Sequence, residues 1–129
     1  MHKKFYHISY SFNLNNQSDK YYSVHRNGKY GFRDINYNII IPCKYDGVDE
    51  FSGDIAIVQM WKGDSLLYGC VNKLGIEIIK PEYEYVYYNK KYNLIYVSHN
   101  GKKGVSNVEG KLVVPIAFDK INYTRISSD

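Results

Sequence analysis

The chain has 129 residues, a formal net charge of +4 and 44% hydrophobic residues, which is enough for one domain with its own core. This apolar content excludes an intrinsically disordered chain, and two cysteines, Cys43 and Cys70, are too few for a disulfide framework. Fifteen tyrosines against one tryptophan favour strands, because aromatic side chains fit the pleated, half-buried surface of a sheet.

The N-terminal segment contains two lysines but no long apolar stretch and no small-residue cleavage site. We therefore expect no signal peptide and no membrane span, and we predict a cytoplasmic protein. Residues 1–25 are expected to form a strand-rich lead that precedes the repeated part of the chain.

A short sequence recurs along the chain: NGKYG at 27–31 returns as NGKKG at 100–104, and a middle copy retains YG at 68–69. The glycines of these motifs, Gly31, Gly69 and Gly104, are spaced by 38 and 35 residues, a period typical of repeat arrays. An apolar run, an aromatic residue, an acid and a β-branched residue follow each anchor glycine at matching offsets. The last three are Tyr45, Asp46 and Val48, then Tyr83, Glu84 and Val86, then Phe118, Asp119 and Ile121.

Each copy is predicted to fold as a hairpin followed by a third short strand. Asn-Gly between apolar alternations favours a type I′ turn, since both central residues need positive φ. A second turn is expected at Gly75 and Gly110, with Tyr37 at that position of the first copy. The apolar strand after this turn is expected to stop at proline, which cannot donate to a ladder. The prediction is an all-β fold of three tandem antiparallel hairpin repeats of about 36 residues, with about ten short strands and almost no helix.

The repeats also predict the domain organisation and the core. Residues 1–129 are expected to form a single domain, with repeat bodies over 26–58, 59–97 and 98–129 after the lead strands. The anchor glycines are interpreted as points of close backbone approach. Because equal offsets should meet equal environments, the same positions of every copy are expected to be buried. These positions are Ile40, Ile78 and Val113, together with the aromatic and β-branched residues named above.

The pattern resembles the bacterial WG-repeat family, also called KWG repeats. The resemblance lies in GKYGFRDINYNIIIPCKYDGVDEFSGDIAIV, YGCVNKLGIEIIKPEYEYV and NGKKGVSNVEGKLVVPIAFDKI, within residues 21–123. The family motif places Trp before the anchor glycine, whereas this chain has Tyr30, Tyr68 and Lys103 there and so resembles a divergent member. The resemblance implies a role in protein interaction and carries no enzymatic activity.

The sequence contains no recognisable catalytic, cofactor or metal constellation. The acids Asp46, Glu84 and Asp119 lie a full repeat apart, so we predict that they accept backbone N–H groups in the turns that follow them. The histidines lack HxxxH or HExxH spacing, and neither a GxSxG elbow nor a phosphate-binding glycine loop occurs. We therefore predict a protein that is not an enzyme and that holds no cofactor and no metal.

Two stretches interrupt the repeat and are candidates for a partner-binding surface. The lengthened second hairpin contains Lys62 and Trp61, the only tryptophan, and loops that depart from a rigid scaffold often carry function. The stretch YVYYNKKYNLIYV interleaves aromatic and basic side chains that are typical of contacts, namely Tyr87, Tyr88, Lys90 and Lys91. The structural alternatives are a tryptophan folded back onto the sheet and an ordinary basic loop between core strands.

These observations favour a non-catalytic module that binds another protein, and an inhibitor or immunity protein for a toxin is a narrower version of this hypothesis. A carbohydrate or cell-wall binding module is an alternative, since tyrosine-rich repeats with NGK turns superficially resemble glucan-binding repeats. A single-stranded nucleic-acid binder is a further alternative because tyrosine and lysine interleave. Three arginines and the absence of any run of like charge argue against nucleic acid.

Overall fold

A computed structural model describes residues 20–121, and this part of the chain is all-β. Its strands are β1 (Tyr22–Arg26), β2 (Lys29–Arg33), β3 (Ile39–Tyr45), β4 (Gly47–Val48), β5 (Ile55–Lys62), β6 (Ser65–Asn72), β7 (Glu77–Tyr83), β8 (Tyr85–Asn89), β9 (Leu94–His99), β10 (Lys102–Ser106) and β11 (Leu112–Phe118). They form a first sheet β1-β2-β3, a middle sheet β4-β5-β6-β7 and a last sheet β11-β10-β9-β8, all antiparallel. The predicted all-β array of hairpins is confirmed.

Residues 20–121 contain no helix, so this part of the chain has no helix that is long and apolar enough to cross a membrane. The predicted lead strands fall mainly on residues 1–19, which lie outside the described residues; only β1 belongs to that lead. The division into three repeat bodies stays a prediction, although the sheets change at residues 46 and 84.

The Asn-Gly turns have the predicted geometry. Asn27 and Gly28 have φ values of 53° and 79°, and Asn100 and Gly101 have 52° and 78°. Positive φ at both central residues matches the right-handed twist of the flanking strands, so the two strands continue as a hairpin. The residue opposite the anchor glycine is valine in every sheet, with pairs Val24–Gly31, Val58–Gly69 and Val97–Gly104.

The anchor glycines are points of close backbone approach, as the sequence suggested. A β-carbon on Gly69 would lie 2.6 Å from the Pro81 nitrogen, and one on Gly104 would lie 2.8 Å from the Val114 carbonyl oxygen. The facing strand bulges at this point in all three sheets. The expectation that the apolar strand stops at proline is wrong, because β3, β7 and β11 continue through it. Each is an edge strand, where a missing N–H is tolerated.

The second turn of each copy is built on an Asx residue three positions after the anchor glycine, namely Asp34, Asn72 or Asn107. Oδ1 of each accepts two backbone N–H groups at 2.9–3.0 Å. The main-chain N–H of each also donates to the carbonyl four residues further on. The predicted second turn is therefore held by a side chain that repeats in every copy.

The glycine of this turn lies where one sheet meets the next. Gly75 has φ +84°, and a β-carbon there would lie 2.9 Å from the Ile40 carbonyl oxygen; at Gly110, with φ +87°, the Ile78 carbonyl oxygen would be 2.7 Å away. Tyr37 has the same left-handed backbone, with φ +67°, but is 71% exposed. No described sheet precedes the first one, so a tyrosine side chain meets no carbonyl there.

Two apolar clusters join the sheets face to face. Buried residues of the first and middle sheets form one cluster, namely Phe32, Ile41, Tyr45, Ala56, Val58 and Val71. Buried residues of the middle and last sheets form the other, namely Ile55, Cys70, Ile79, Val86, Ile95 and Val97. The middle sheet thus packs on both of its faces.

The predicted core is correct in part. Tyr45 and Val86 are buried, whereas Ile40 and Ile78 are only partly buried, and the buried neighbours are Ile41 and Ile79. The register explains this shift of one residue, because Ile41 pairs with the buried Phe32 and Ile79 with the buried Cys70. Val48, Tyr83 and Ile121 are half-buried.

The third copy departs from the predicted core for another reason. Phe118 is 47% exposed and Val113 is 52% exposed, so the prediction that both are buried is wrong. Tyr45, at the offset of Phe118, is covered because the middle sheet packs against it. No described sheet lies beyond the last one, so equal offsets do not meet equal environments at the end of the array.

Two of the three repeated acids connect consecutive sheets. Asp46 accepts hydrogen bonds from the Lys29 ammonium at 2.6 Å and from the Trp61 main-chain N–H at 2.8 Å. Glu84 likewise accepts the main-chain N–H of Asn100 at 2.6 Å. Asp119 pairs with the Lys102 ammonium. Asp46 and Glu84 therefore cap the hairpin of the next sheet, not the turn that directly follows them as predicted.

Candidate functional site: a tyrosine-lined groove

The candidate site is a groove of about 580 Å³ between the loop 49–54 and strand β8. Its floor is apolar and consists of Ile55, Ile57, Tyr68 and Val86. Alternation along β5 places Ile55 and Ile57 on the same side of the middle sheet. The floor is rigid because Ile55 and Val86 also belong to the core cluster between the middle and last sheets.

Tyrosines of β8 form one wall of the groove. All three tyrosines of the strand border the cavity. Alternation puts Tyr88 on the inner face with Val86, whereas Tyr85 and Tyr87, which are 48% and 44% exposed, lie on the outer face of the last sheet. The Tyr87 ring stacks on Tyr96 of the neighbouring strand, with centroids 6.0 Å apart. The Tyr88 hydroxyl donates to Asn93 Oδ1 at 2.6 Å, and burial, together with the Asp54 carboxylate, raises the pKa of Tyr88. Contacts within the protein therefore hold the Tyr87 and Tyr88 rings in place.

Charged side chains line the rim of the groove. Asp49, Glu50 and Glu84 supply three carboxylates, and Lys90 supplies one ammonium. Asp49 accepts a long hydrogen bond from Gln59 at 3.4 Å, whereas Glu50 makes no hydrogen bond or ion pair with any other residue of the described range. The Lys90 side chain lies against Gly53 at the edge of the loop. The rim is negative on a protein whose net charge is positive.

Three of the six predicted partner-binding residues line the groove, and three lie outside it. Tyr87, Tyr88 and Lys90 line the groove, whereas Trp61, Lys62 and Lys91 do not. Trp61 is 57% exposed near the end of β5 and belongs to neither core cluster. Lys62 is exposed and pairs with Ser65 across the hairpin turn. Lys91 is exposed in the turn after β8, with its ammonium 5.3 Å from the centre of the Tyr92 ring.

The sequence did not indicate the acids of the groove or its floor. Asp49 and Glu50 stand in the loop between two repeats and have no periodic signal. Ile55 and Ile57 read as ordinary strand residues, and their exposure to a cavity depends on how β8 packs against β5. The only signal in the sequence for these groove residues was a pair of consecutive acids in a loop directly after a short strand.

Few of the described residues are placed to hold a metal or to react with a bound molecule. Among residues 20–121 no three histidine, cysteine or carboxylate side chains come close enough together to hold a metal. Burial raises the pKa of the Cys70 thiol to about 12, which keeps it protonated and unreactive. Burial and a hydrogen bond to Glu77 raise the pKa of Tyr45, whose hydroxyl donates to that carboxylate. Both groups lie in or beside the core, and neither lines the groove.

The sequence profile of the WG containing repeat matches residues 30–60 and 68–102, which is just over half of the chain. No curated protein and no solved structure is significantly similar to the chain. The two matched segments each begin one residue before an anchor glycine, at Tyr30 and at Tyr68, where the repeat pattern places the family tryptophan. The chain therefore belongs to the family of WG-containing repeat proteins.

Proposed function

We propose that the protein is a non-catalytic module that binds another protein, and that the tyrosine-lined groove is the principal contact. The observation that supports this proposal is a groove with an apolar floor and a polar rim, bordered by the half-exposed tyrosines of β8. Binding energy at protein interfaces concentrates in a few aromatic anchors surrounded by polar residues. Tyrosine suits such a surface because it offers a large contact area and loses few rotamers.

The repeat scaffold fits this role better than it fits catalysis. Stacked sheets present broad, rigid surfaces, whereas acid–base chemistry needs two titratable groups in one cleft. The groove lining contains tyrosines, three carboxylates and one lysine, Lys90, but no histidine. We further propose a cytoplasmic location, and a toxin inhibitor or immunity protein as the narrower form of the function.

Trp61 and Lys62 form a second, smaller part of the proposed surface. The Trp61 ring is more than half exposed, while its main-chain N–H is held by Asp46. An exposed ring on a fixed backbone is suited to a partner contact. Because the groove lining does not include this hairpin, substitutions in the two places are expected to weaken partner binding additively.

A quantitative pull-down from native cells tests the proposal, with wild-type protein compared with Tyr87→Ala, Trp61→Ala and Leu74→Ala. Leu74 is 82% exposed and outside the groove lining, so it is the matched control. We expect a protein that is retained by wild type and by Leu74→Ala, and that is depleted by Tyr87→Ala. The captured protein is then purified and its affinity measured by calorimetry, with the same order of variants expected.

Three results would contradict the proposal. Equal affinity of the purified partner for wild type and Tyr87→Ala would remove the groove from the interface. Binding to a glycan array that Tyr87→Ala abolishes, with no protein partner, would favour the carbohydrate alternative. Binding to single-stranded RNA that falls steeply with salt would favour the nucleic-acid alternative.

A further inference from the structure

We infer that two copies of this chain bind each other head to tail, with the segment after β11 of one copy docked on the open edge of β1 of the other. This inference concerns a different surface from the groove and does not depend on the proposed function. It is carried by a junction between consecutive sheets that occurs twice inside the chain. The two ends of the described array present the two unpaired halves of the same junction.

The first internal junction joins the first sheet to the middle sheet through three contacts. The Asp46 main-chain N–H donates to the Gln59 carbonyl oxygen at 2.9 Å. Asp46 Oδ2 accepts the Trp61 main-chain N–H, two residues further along β5, at 2.8 Å. Val48, two residues after the acid, pairs with Val58. One short segment thus adds to the edge of the next sheet and holds the end of its hairpin.

The second internal junction repeats these contacts in the same register. The Glu84 main-chain N–H donates to the Ser98 carbonyl oxygen at 3.1 Å, and the Glu84 carboxylate accepts the Asn100 N–H at 2.6 Å. Val86 pairs with Val97. In both junctions the acid therefore engages a carbonyl and the N–H two residues beyond it. The β-branched residue lies opposite the valine that directly precedes this carbonyl.

The segment after β11 is the donor half of such a junction. Asp119 and Ile121 repeat the acid and the β-branched residue of the internal junctions at the same spacing. Asp119 Oδ1 accepts the Lys102 ammonium at 2.6 Å, just as Asp46 Oδ1 accepts a lysine ammonium of its own sheet. The second oxygen of Asp119, Oδ2, has no hydrogen-bond partner within residues 20–121, and the side chain is 80% exposed. In Asp46 this second oxygen holds the hairpin of the next sheet.

Strand β1 is the acceptor half. In the other two sheets a strand, β4 or β8, lies beside the first strand of the hairpin, whereas β1 has no such neighbour among the described strands. Arg26 and Lys29 pair directly across the two-residue turn, so the alternation of an antiparallel ladder directs the His25 N–H and carbonyl away from β2. The Asn27 N–H, two residues beyond His25, has no acceptor within the described range. An unpaired edge of this kind is a template for a strand of another chain.

The two halves match in the register of the internal junctions. The Asp119 N–H of one copy would donate to the His25 carbonyl of the other, and the unoccupied Asp119 Oδ2 would accept the Asn27 N–H. Ile121 would then lie opposite Val24, as the valines do inside the chain. Addition of a strand to a sheet edge is a common mode of protein recognition. Because donor and acceptor are different surfaces, a dimer keeps one free half of each kind and association continues to longer chains or a closed ring.

An aromatic side chain beside the donor segment is also left for a following sheet to cover. Phe118 is 47% exposed, whereas Tyr45 at the same offset is 1% exposed because the middle sheet packs on it. Head-to-tail docking would therefore remove exposed apolar surface from water. The competing occupants of these two edges are the chain's own residues 122–129, which follow the donor segment, and residues 1–19, which precede β1.

Analytical ultracentrifugation of the full-length protein over a wide range of concentration tests the inference. We expect the average mass of wild type to rise with concentration and to exceed that of a dimer. Asp119→Ala removes the donor carboxylate. Asn27→Asp places a like charge where that carboxylate would bind and keeps an Asp-Gly type I′ turn. Each variant alone is expected to associate at least about tenfold more weakly than wild type, because a charge-assisted hydrogen bond is lost.

Mixing the two variants gives the decisive result. The Asp119→Ala protein keeps an intact β1 edge and the Asn27→Asp protein keeps an intact donor segment, so the mixture is expected to form a 1:1 dimer that grows no further. Asp64→Ala, which removes an exposed acid of the second hairpin, is the control and should associate as wild type does. The inference would be overturned by a wild type that stays monomeric, as it would if residues 1–19 or 122–129 occupied these edges. Undiminished association of Asp119→Ala, or a mixture without the dimer, would overturn it as well.

Discussion

The anchor glycines offer the sharpest perturbation of the fold. A β-carbon at Gly69 would lie 2.6 Å from the Pro81 nitrogen and 2.7 Å from the Lys80 carbonyl carbon, and closer still to the Ile79 carbonyl oxygen. These are backbone atoms of β7, and real β-carbons essentially never come within 3.0 Å of them. In Gly69→Ala the two strands must therefore separate, which stretches the ladder around the Cys70–Ile79 pair.

The expected cost combines overpacking with weakened hydrogen bonds. Overpacking a core costs about 1–3 kcal/mol, and a weakened hydrogen bond adds about 1 kcal/mol. We therefore expect Gly69→Ala to lower the free energy of unfolding by about 2–4 kcal/mol, measured by urea denaturation. A loss of this size is a large part of the stability of a small domain.

Gly63→Ala is the matched control. Gly63 has φ +61° in the exposed hairpin turn, and a β-carbon there would meet no atom within 4 Å. Its cost is therefore backbone strain alone, about 1 kcal/mol. A Gly69→Ala variant that is no less stable than Gly63→Ala would refute the argument that close backbone approach selects glycine at the anchors.

Three further predictions concern the sheet junctions. Gly75→Tyr should lower the free energy of unfolding by more than about 3 kcal/mol, whereas Tyr37→Gly should change it by about 1 kcal/mol or less. The reason is that, of these two positions, only Gly75 faces a carbonyl of the preceding sheet. Equal melting temperatures of the two variants would count against this packing. Chemical denaturation should show that Tyr45→Ala lowers the free energy of unfolding by about 3–5 kcal/mol and Phe118→Ala by about 1 kcal/mol. The reason is that Tyr45 is 1% exposed and Phe118 is 47% exposed. A larger loss for Phe118→Ala would show that the last sheet is covered. Asp46→Asn should lower the melting temperature at neutral pH, and the difference should shrink below about pH 4. The hydrogen bonds from the Lys29 ammonium and from the Trp61 N–H hold the folded-state pKa of Asp46 below 3.8. The stability that the Asp46 carboxylate contributes is therefore present above pH 3.8 and is lost as pH falls through the folded-state pKa. A difference in melting temperature between wild type and Asp46→Asn that does not depend on pH would show that the charge of Asp46 is irrelevant.

The sequence was sufficient for the features that repeat. Matching offsets predicted the hairpins, the Asn-Gly turns with positive φ and the glycine anchors, because each depends on local backbone geometry. The prediction failed where position in the array matters. Phe118 shares its offset with Tyr45 but has no described sheet beyond it, and a pattern of offsets cannot show whether another sheet covers a given copy.

The site was predicted in part for a related reason. Tyr87, Tyr88 and Lys90 were selected because they interrupt the repeat, and they line the groove. Asp49 and Glu50 were not selected, because their role depends on how β8 approaches the loop before β5. That approach is a packing property of two sheets, set by Ile55 and Val86 in their shared cluster, and no local pattern encodes it.

Position-resolved photo-crosslinking in native cells tests the central claim most directly. A photoreactive phenylalanine derivative is placed at Tyr87 in the groove, and in a separate protein at Leu74, which is exposed outside it. The proposed function predicts one discrete protein adduct at position 87 and no such adduct at position 74. Equal adduct patterns at both positions, or none at position 87, would contradict the claim that the groove binds a protein.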